Sequence, residues 1–456
     1  MSAGGDFGQA LTIVARVDAG KLADLRKLLA GPSPNPLDQR LVDFRRSKKT
    51  HFARWVLLEM DGYEPLLVFE SNHDGSVGDY VDELLGFAGE PIADLYACCD
   101  PAPAAGELRA YLLAGERRLP PAAFYRAYPA RSFHEVSTAL ALAAHVRGYL
   151  DRNRPSLAAL APREIHARVQ ANLRAAGFVA PQYARVTSFP LAWFADAIHD
   201  AVGPAGPRRL RGTAVLGALV VGPVIALVAL DALDTSAGGA LHHAPLYLAL
   251  AGLAAFVASV ALVLLAEAAP AAGRQPALAD PHLLLAQEDF ATQNQITHVA
   301  IRKKGWVRGA LLRGVLAVVG LFARVTYTQG DLGGIASIHF ARWVALPDGR
   351  LLFMSNFDGA WDAYLGDFID KASAQLSAVW SNTECFPPTS LLLWGGARDA
   401  AAFKAWTRGC QVPTQLWYSA YPAASVRHVR AALKLAEDVF EAPTDPDAGA
   451  WLARLS

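Results

Sequence analysis

Apolar and polar positions follow the same succession of periods in two distant parts of the chain. In the C-terminal part, the apolar run Ile296 to Ile301 predicts a strand, and Trp306 to Val325, apolar nearly all round, predicts a helix. Ile338 to Leu346 and Leu351 to Ser355 predict a hairpin, because Asp348-Gly349 separates two apolar runs. From Gly359 to Trp380, the residues Trp361, Tyr364, Leu365, Phe368, Ile369, Ala372 and Leu376 recur at spacings of three and four, the period of a helix with one buried face. A strand over Ser390 to Trp394, a short helix over Ala400 to Thr407, a strand over Gln415 to Ala420 and a helix from Ser425 complete the set. The N-terminal part runs likewise, from Leu11 to Val17 and Lys21 to Leu29 into its own hairpin. This order is β-α-β-β-α-β with additions, the ferredoxin-like split motif.

The two parts also share residues. His51-Phe52-Ala53-Arg54-Trp55-Val56 recurs unchanged as His339-Phe340-Ala341-Arg342-Trp343-Val344. Ser71-Asn72-His73-Asp74-Gly75 is answered by Ser355-Asn356-Phe357-Asp358-Gly359, and each is followed by a tyrosine, Tyr80 and Tyr364. Tyr125 to Pro129 matches Tyr418 to Pro422. The copies differ in length where Glu59 to Pro65 stands against Pro347 to Arg350, a predicted turn, as a duplication should. The predicted class is α+β: two ferredoxin-like repeats packed as an α+β barrel, with an inserted transmembrane helical hairpin.

That insertion is read from the middle of the chain. Thr213 to Leu230 and Ala244 to Ala266 are free of charge, and a helix of about 20 apolar residues spans a bilayer core. Pro223 is tolerable in such a helix. Arg208, Arg209 and Arg211 precede the pair and Arg274, Lys303 and Lys304 follow it, so both large domains are expected on the cytoplasmic side of the membrane. A buried pair of soluble helices is the alternative. The expected organisation is repeat one over 1–135, a helical connector over 136–207, the hairpin over 208–269 (spans 213–230 and 244–266), a linker over 270–292, repeat two over 293–440 and a tail over 441–456. Helix 306–325, with Arg308, Arg313 and Arg324, either lies on the bilayer or is buried against its neighbours.

Composition narrows the partners. Basic and acidic residues balance at 42 each, which argues against nucleic acid. The 53% hydrophobic content and mean hydropathy of +0.21 are high for a soluble protein. Cys98, Cys99, Cys385 and Cys410 have no zinc or redox spacing and read as reduced thiols. No charged segment followed by an apolar run opens the chain, so no signal peptide is expected. Phosphate loops, HExxH and GxSxG are absent from the sequence.

The shared polar residues carry the candidate chemistry. Asp74 and Asp358, each between a strand and a helix, are N-caps or, if burial raises them, acid–base groups. Arg54 and Arg342 lie in apolar strands and need partners; Asp74 and Asp358 are the expected ones, and holding an anionic ligand is the alternative. His51 and His339 are unusual in strands, either bonded in the core or acting as ligand or acid/base. His298, where copy one has Ile13, and His428, one place off His134, are candidate axial ligands in one half only. Tyr128-Pro129 and Tyr421-Pro422 are expected to fix strand-to-helix corners.

The element order and the Asp-Gly motifs resemble the dimeric α+β barrel superfamily, whose members include dye-decolorising peroxidases, chlorite dismutases and small cofactor-free monooxygenases. The peroxidase signature is Gly-x-x-Asp-Gly with a distal Asp; here Ser355 and Ser71 stand in place of its first Gly. The resemblance implies haem on one sheet face and a distal acid at Asp358 or Asp74; with the shared polar residues read above, the expected catalytic set is Asp358, Arg342, His339, Asp74, Arg54 and His51, the expected haem-binding set is His298, His428 and Asn356, and no separate metal is expected. The leading expectation is a membrane-anchored haem-dependent oxidoreductase acting on an apolar or lipid-like substrate at the cytoplasmic leaflet. Beside it stand a non-catalytic lipid- or protein-binding scaffold and a cofactor-free monooxygenase. Expected partners are the lipid bilayer and an apolar small molecule or lipid; self-association into a homo-oligomer stays open.

Overall fold

The computed structural model describes residues 7–38, 40–183, 267, 280–325, 331–441 and 451. Both predicted membrane spans, 213–230 and 244–266, lie outside the described residues.

The fold is α+β. β1 (Gln9–Arg16), α1 (Leu22–Leu29), β2 (Thr50–Leu58), β3 (Leu66–His73), α2 (Val77–Ala97), α3 (Leu108–Leu113), β4 (Ala123–Arg126), α4 (Phe133–Leu157) and α5 (Pro162–Ala175) come first. After the central segment follow α6 (Pro281–Leu285), β5 (Gln293–Ile301), α7 (Trp306–Val325), β6 (Ile338–Ala345), β7 (Arg350–Asp358) and α8 (Trp361–Trp380). The expected strand over 390–394 is instead a two-residue ribbon, β8 (Thr389–Ser390) and β9 (Trp394–Gly395), because Leu391 and Leu392 take positive φ and break the extended run. The chain then forms α9 (Ala400–Cys410), β10 (Leu416–Ser419) and α10 (Val426–Asp438). Both Asp-Gly turns are present; Gly62 and Gly349 have φ of 80° and 98°, where a side chain would be strained.

Two antiparallel four-stranded sheets result, ordered β1-β3-β2-β10 and β4-β6-β7-β5. A ferredoxin-like unit would keep its last strand in its own sheet. Here the last strands are exchanged: Leu416 to Ser419 pair with Trp55 to Phe52, and Ala123 to Arg126 pair with Trp343 to Phe340. Each shared His-Phe-Ala-Arg-Trp-Val strand is therefore flanked by the other copy's final strand.

Alternation within the strands assigns the layers. Val56, Leu58 and Val68 meet Val299, Val344, Leu346, Leu352 and Met354 in one cluster, so the sheets face each other through the Arg54 and Arg342 faces. The opposite faces carry helices. Trp55 and Phe69 share a core with Tyr80 and Leu84 of α2, and Trp343 and Phe353 with Tyr364 and Phe368 of α8. Both helices leave helical geometry at matching places, Ala88 (φ −138°) and Ala372 (φ −137°). Tyr80 stacks on His73 at 4.1 Å and Tyr364 on Phe357 at 3.8 Å. α4 and α10 pack on each other.

Among the described residues, Trp306–Arg324 is long and apolar enough to cross a membrane. One side of α7 rests on β4, with Gly320 facing the Ala123 backbone, while Trp306, Val318 and Phe322 are exposed.

Trp417, buried on exchanged β10 with its indole N–H donating to Asn356 Oδ1 (2.9 Å), tests the exchange. Trp417→Ala should cost about 3–5 kcal/mol. In hydrogen-exchange mass spectrometry it should deprotect β2, the strand β10 pairs with, more than β7.

Candidate functional site

The two strand histidines owe their orientation to backbone irregularity. Pairing of β2 with β3 shifts register between Thr50 and Phe52, and pairing of β6 with β7 shifts between Ile338 and Phe340. His51 and His339 are the extra residues, and a bulge of this kind re-aims a side chain away from strict alternation. His51 Nε2 meets Asp74 Oδ1 at 2.9 Å and its Nδ1 meets the Tyr421 hydroxyl at 2.6 Å. His339 Nε2 meets Asp358 Oδ1 at 2.7 Å and its Nδ1 meets the Tyr128 hydroxyl at 3.0 Å. The two hydroxyls touch at 3.0 Å. Six side chains thus form one unbroken line, Asp74, His51, Tyr421, Tyr128, His339, Asp358. Phe52, Phe340 and Phe133 enclose it.

The aspartates do not cap the helices that follow them. Ser76 caps α2, accepting from Asp79 N, and α8 begins at Ala360 without a side-chain cap. Instead Asp74 Oδ2 accepts from the N–H of Phe133 (2.5 Å), the first residue of α4, and Asp358 Oδ2 from that of Val426 (2.8 Å), the first of α10. An anion at a helix N-terminus is favoured by the free N–H groups and the helix dipole. Asp74 Oδ1 also accepts from Gly8 N at 2.9 Å. Burial alone would raise the Asp74 carboxyl, but His51 and these backbone donors outweigh it and hold it below its ordinary value.

Nor do the aspartates pair with the arginines, because the arginines project into the opposite layer. Arg54 Nη1 donates to Ile296 O (2.8 Å), and Arg54 Nη2 to Ser355 O (3.1 Å) and Asn356 Oδ1 (2.6 Å), all on the opposing sheet. Arg342 reaches the other way, to Leu11 O (2.8 Å) and Ser71 O (2.9 Å). A single carboxylate serves both: Glu70 lies 2.7 Å from Arg54 Nε and 2.7 Å from Arg342 Nη2. The Asn72 amide, oriented with nitrogen toward Glu70 (3.1 Å), offers its oxygen to Arg342 (2.6 Å). Burial weakens the hold of both guanidinium groups on their protons. Glu70 opposes this, and Arg342, with Arg54 nearby, is pushed down to about 10.

His298 is buried between the rings of Trp380 and Trp406, both at 4.7 Å, and neither of its ring nitrogens has a hydrogen-bond partner. Burial pushes it down to about 3, so it is neutral. It lines a cavity of about 20 Å³ with Phe353, Phe368, Phe403 and Thr407, room for about one water molecule. His428 is exposed in the first turn of α10, where its Nδ1 accepts from Ser425 N at 3.3 Å. Asn356, the third expected haem contact, is buried against Arg54 and Trp417. A haem needs a histidine nitrogen facing space for a macrocycle; among the described residues, His298 and His339 are packed in the core and do not face such a space. Of the predicted residues, the fold gathers His51, His339, Asp74 and Asp358 into one line and Arg54, Arg342 and Asn356 into a second cluster.

Glu70 escaped the sequence comparison because its counterpart is Met354, so shared identity could not mark it. Tyr128 and Tyr421 were visible as shared residues, but their pairing depends on the strand exchange.

Glu70→Gln leaves two buried guanidinium groups without their carboxylate and should cost about 3–5 kcal/mol in denaturant unfolding. Replacing Arg54, Glu70 and Arg342 together by apolar residues of similar volume should recover most of that loss, as a structural cluster would and a ligand-binding one would not. Asp74 titrates below its unfolded value. Its contribution is therefore complete above about pH 4 and lost as pH falls through the folded value. Asp74→Asn should flatten the acid limb of the stability profile.

Comparison with models of known families, with curated proteins and with solved structures finds no match to this chain.

Proposed function

We propose that this chain is a membrane-anchored binding scaffold: a duplicated α+β unit of the dimeric α+β barrel kind that holds a lipid-like molecule or a protein partner without chemistry of its own. The observation that carries this reading is that every ionisable side chain kept in both shared motifs is spent on contacts within the fold. His51 and His339 use both ring nitrogens, Asp74 and Asp358 receive helix N-termini, and Arg54 and Arg342 bind the backbone of the facing sheet.

Membrane placement draws support from Glu267, the first charged residue after the apolar run Ala244 to Ala266. Its carboxylate accepts from Leu391 N, Leu392 N and the Thr389 hydroxyl at 2.8–2.9 Å, a concave set of donors suited to an anion. It also acts electrostatically on Lys303 and Arg308, at the start of α7. Exposed Trp394 and Leu393 sit beside this anchor, and exposed Trp306 opens α7; Trp is favoured at the headgroup level. In this reading the run 244–266 spans the bilayer, the apolar side of α7 rests on the membrane surface, and both domains lie on the cytoplasmic side.

A second reading is favoured by one observation: an unpartnered neutral His298 in a small aromatic cavity is the arrangement a cofactor-free oxygenase would use.

Full-length protein in mild detergent should show no Soret band and should take up no added haemin; a Soret band lost in His298→Ala or His339→Ala would instead establish the haem oxidoreductase. Membranes carrying the protein should retain it through alkaline carbonate washing, and its release would leave only surface attachment.

A further inference from the structure

The line of six side chains between the two halves has more contacts than its ordinary protons can satisfy. Five contacts of hydrogen-bond length join Asp74, His51, Tyr421, Tyr128, His339 and Asp358. Each needs one proton between its heavy atoms. With both carboxylates ionised and both imidazoles neutral, the supply is one N–H on each histidine and one O–H on each tyrosine, four in all. That count holds for either tautomer. If each histidine donates to its aspartate and each tyrosine donates to its histidine, the two phenol oxygens face each other at 3.0 Å with no proton between them. Tyr128 and Tyr421 are buried, so the unmet contact is not relieved by solvent.

We infer that this line is a proton-binding site: it takes up a fifth proton, shared between His51 and His339, as part of folding. One imidazolium then donates through both nitrogens, its tyrosine accepts from it and donates to the other tyrosine, and that tyrosine donates to the neutral histidine. Every contact is satisfied, and two mirror arrangements exist, with the charge on His51 or on His339. Moving between them transfers protons along the line without breaking it. The resulting charge is also better balanced. The line carries two carboxylates and one imidazolium, net −1, while the cluster of Arg54, Arg342 and Glu70 carries net +1.

The groups facing the line agree with this assignment. At the strand ends these are Asp74 and Asp358, with the phenols of Tyr128 and Tyr421 pushed well above their ordinary value by burial and therefore protonated. Further out stand Lys49, His73, Arg342, Tyr125 and Tyr418. Burial pushes His73 down to about 3, which leaves it neutral. From the helices come backbone N–H groups of Phe133 and Val426, with His134, Glu135, Arg427 and His428 on the adjoining turns.

The test is nitrogen NMR of the full-length protein in micelles, labelled with ¹⁵N-histidine, with the two rings assigned by His51→Gln and His339→Gln. At pH 7.5 the two rings should together carry one imidazolium, as one charged ring or as two rings at averaged shifts. Tyr128→Phe removes two contacts and one donor, leaving three contacts with three protons, so both rings should become neutral in it. Two neutral rings in the unaltered protein overturn the inference, and so does an imidazolium that persists in folded Tyr128→Phe. Should that variant fail to fold, the spectrum of the unaltered protein decides.

Discussion

A guanidinium group removed from water must be paired and must have its N–H groups accepted, or the structure that buries it does not form. The space between the two sheets holds two such groups and one carboxylate. Arg54 and Arg342 each reach past their own layer to carbonyl oxygens of the other, and Glu70 stands between them. Apolar contact between Val56, Val68, Val344 and Leu352 supplies area but little direction. The arginines supply direction, because their hydrogen bonds are satisfied at one registration of the sheets. The line of histidines, tyrosines and aspartates repeats that arrangement at the strand ends, and it places carboxylates on the first turns of α4 and α10.

Three of the differences between the copies fall on buried positions. Glu70 stands opposite Met354: a second carboxylate would have brought like charges together, and none would have left both arginines unpaired. His73 stands opposite Phe357, and both stack on an equivalent tyrosine, so ring shape was kept while polarity was not. Ile13 stands opposite His298. Ile13 is buried among apolar neighbours, while His298 borders a cavity with unpaired nitrogens. Each half thus carries one buried histidine with unpaired nitrogens in its helix-facing core, His73 in the first and His298 in the second.

α7 and Glu267 are the features on which the proposed membrane placement rests. A helix that rests one side on β4 and shows Trp306, Val318 and Phe322 on another is built for two environments. Glu267 fastens the end of a 23-residue charge-free run to the loop at Leu391 and Leu392.

The sequence by itself determined the elements. Periodicity placed α7 and α8 within two residues and the second hairpin within three, since strand alternation and helical spacing are local properties of the chain. It also determined which side chains matter, because His51, Arg54, Asp74 and their counterparts are kept while most of their neighbours differ. Tertiary structure alone decided their partners. Arg54 seemed destined for Asp74 because both lie on one hairpin, yet alternation sends the arginine toward the other sheet, where Glu70 also points. His51 and His339 could not be assigned to a face, because a bulge, which single-strand pattern does not reveal, turns them. Tyr128 and Tyr421 met only through the exchange of β4 and β10, a pairing of residues hundreds of positions apart that no local pattern records.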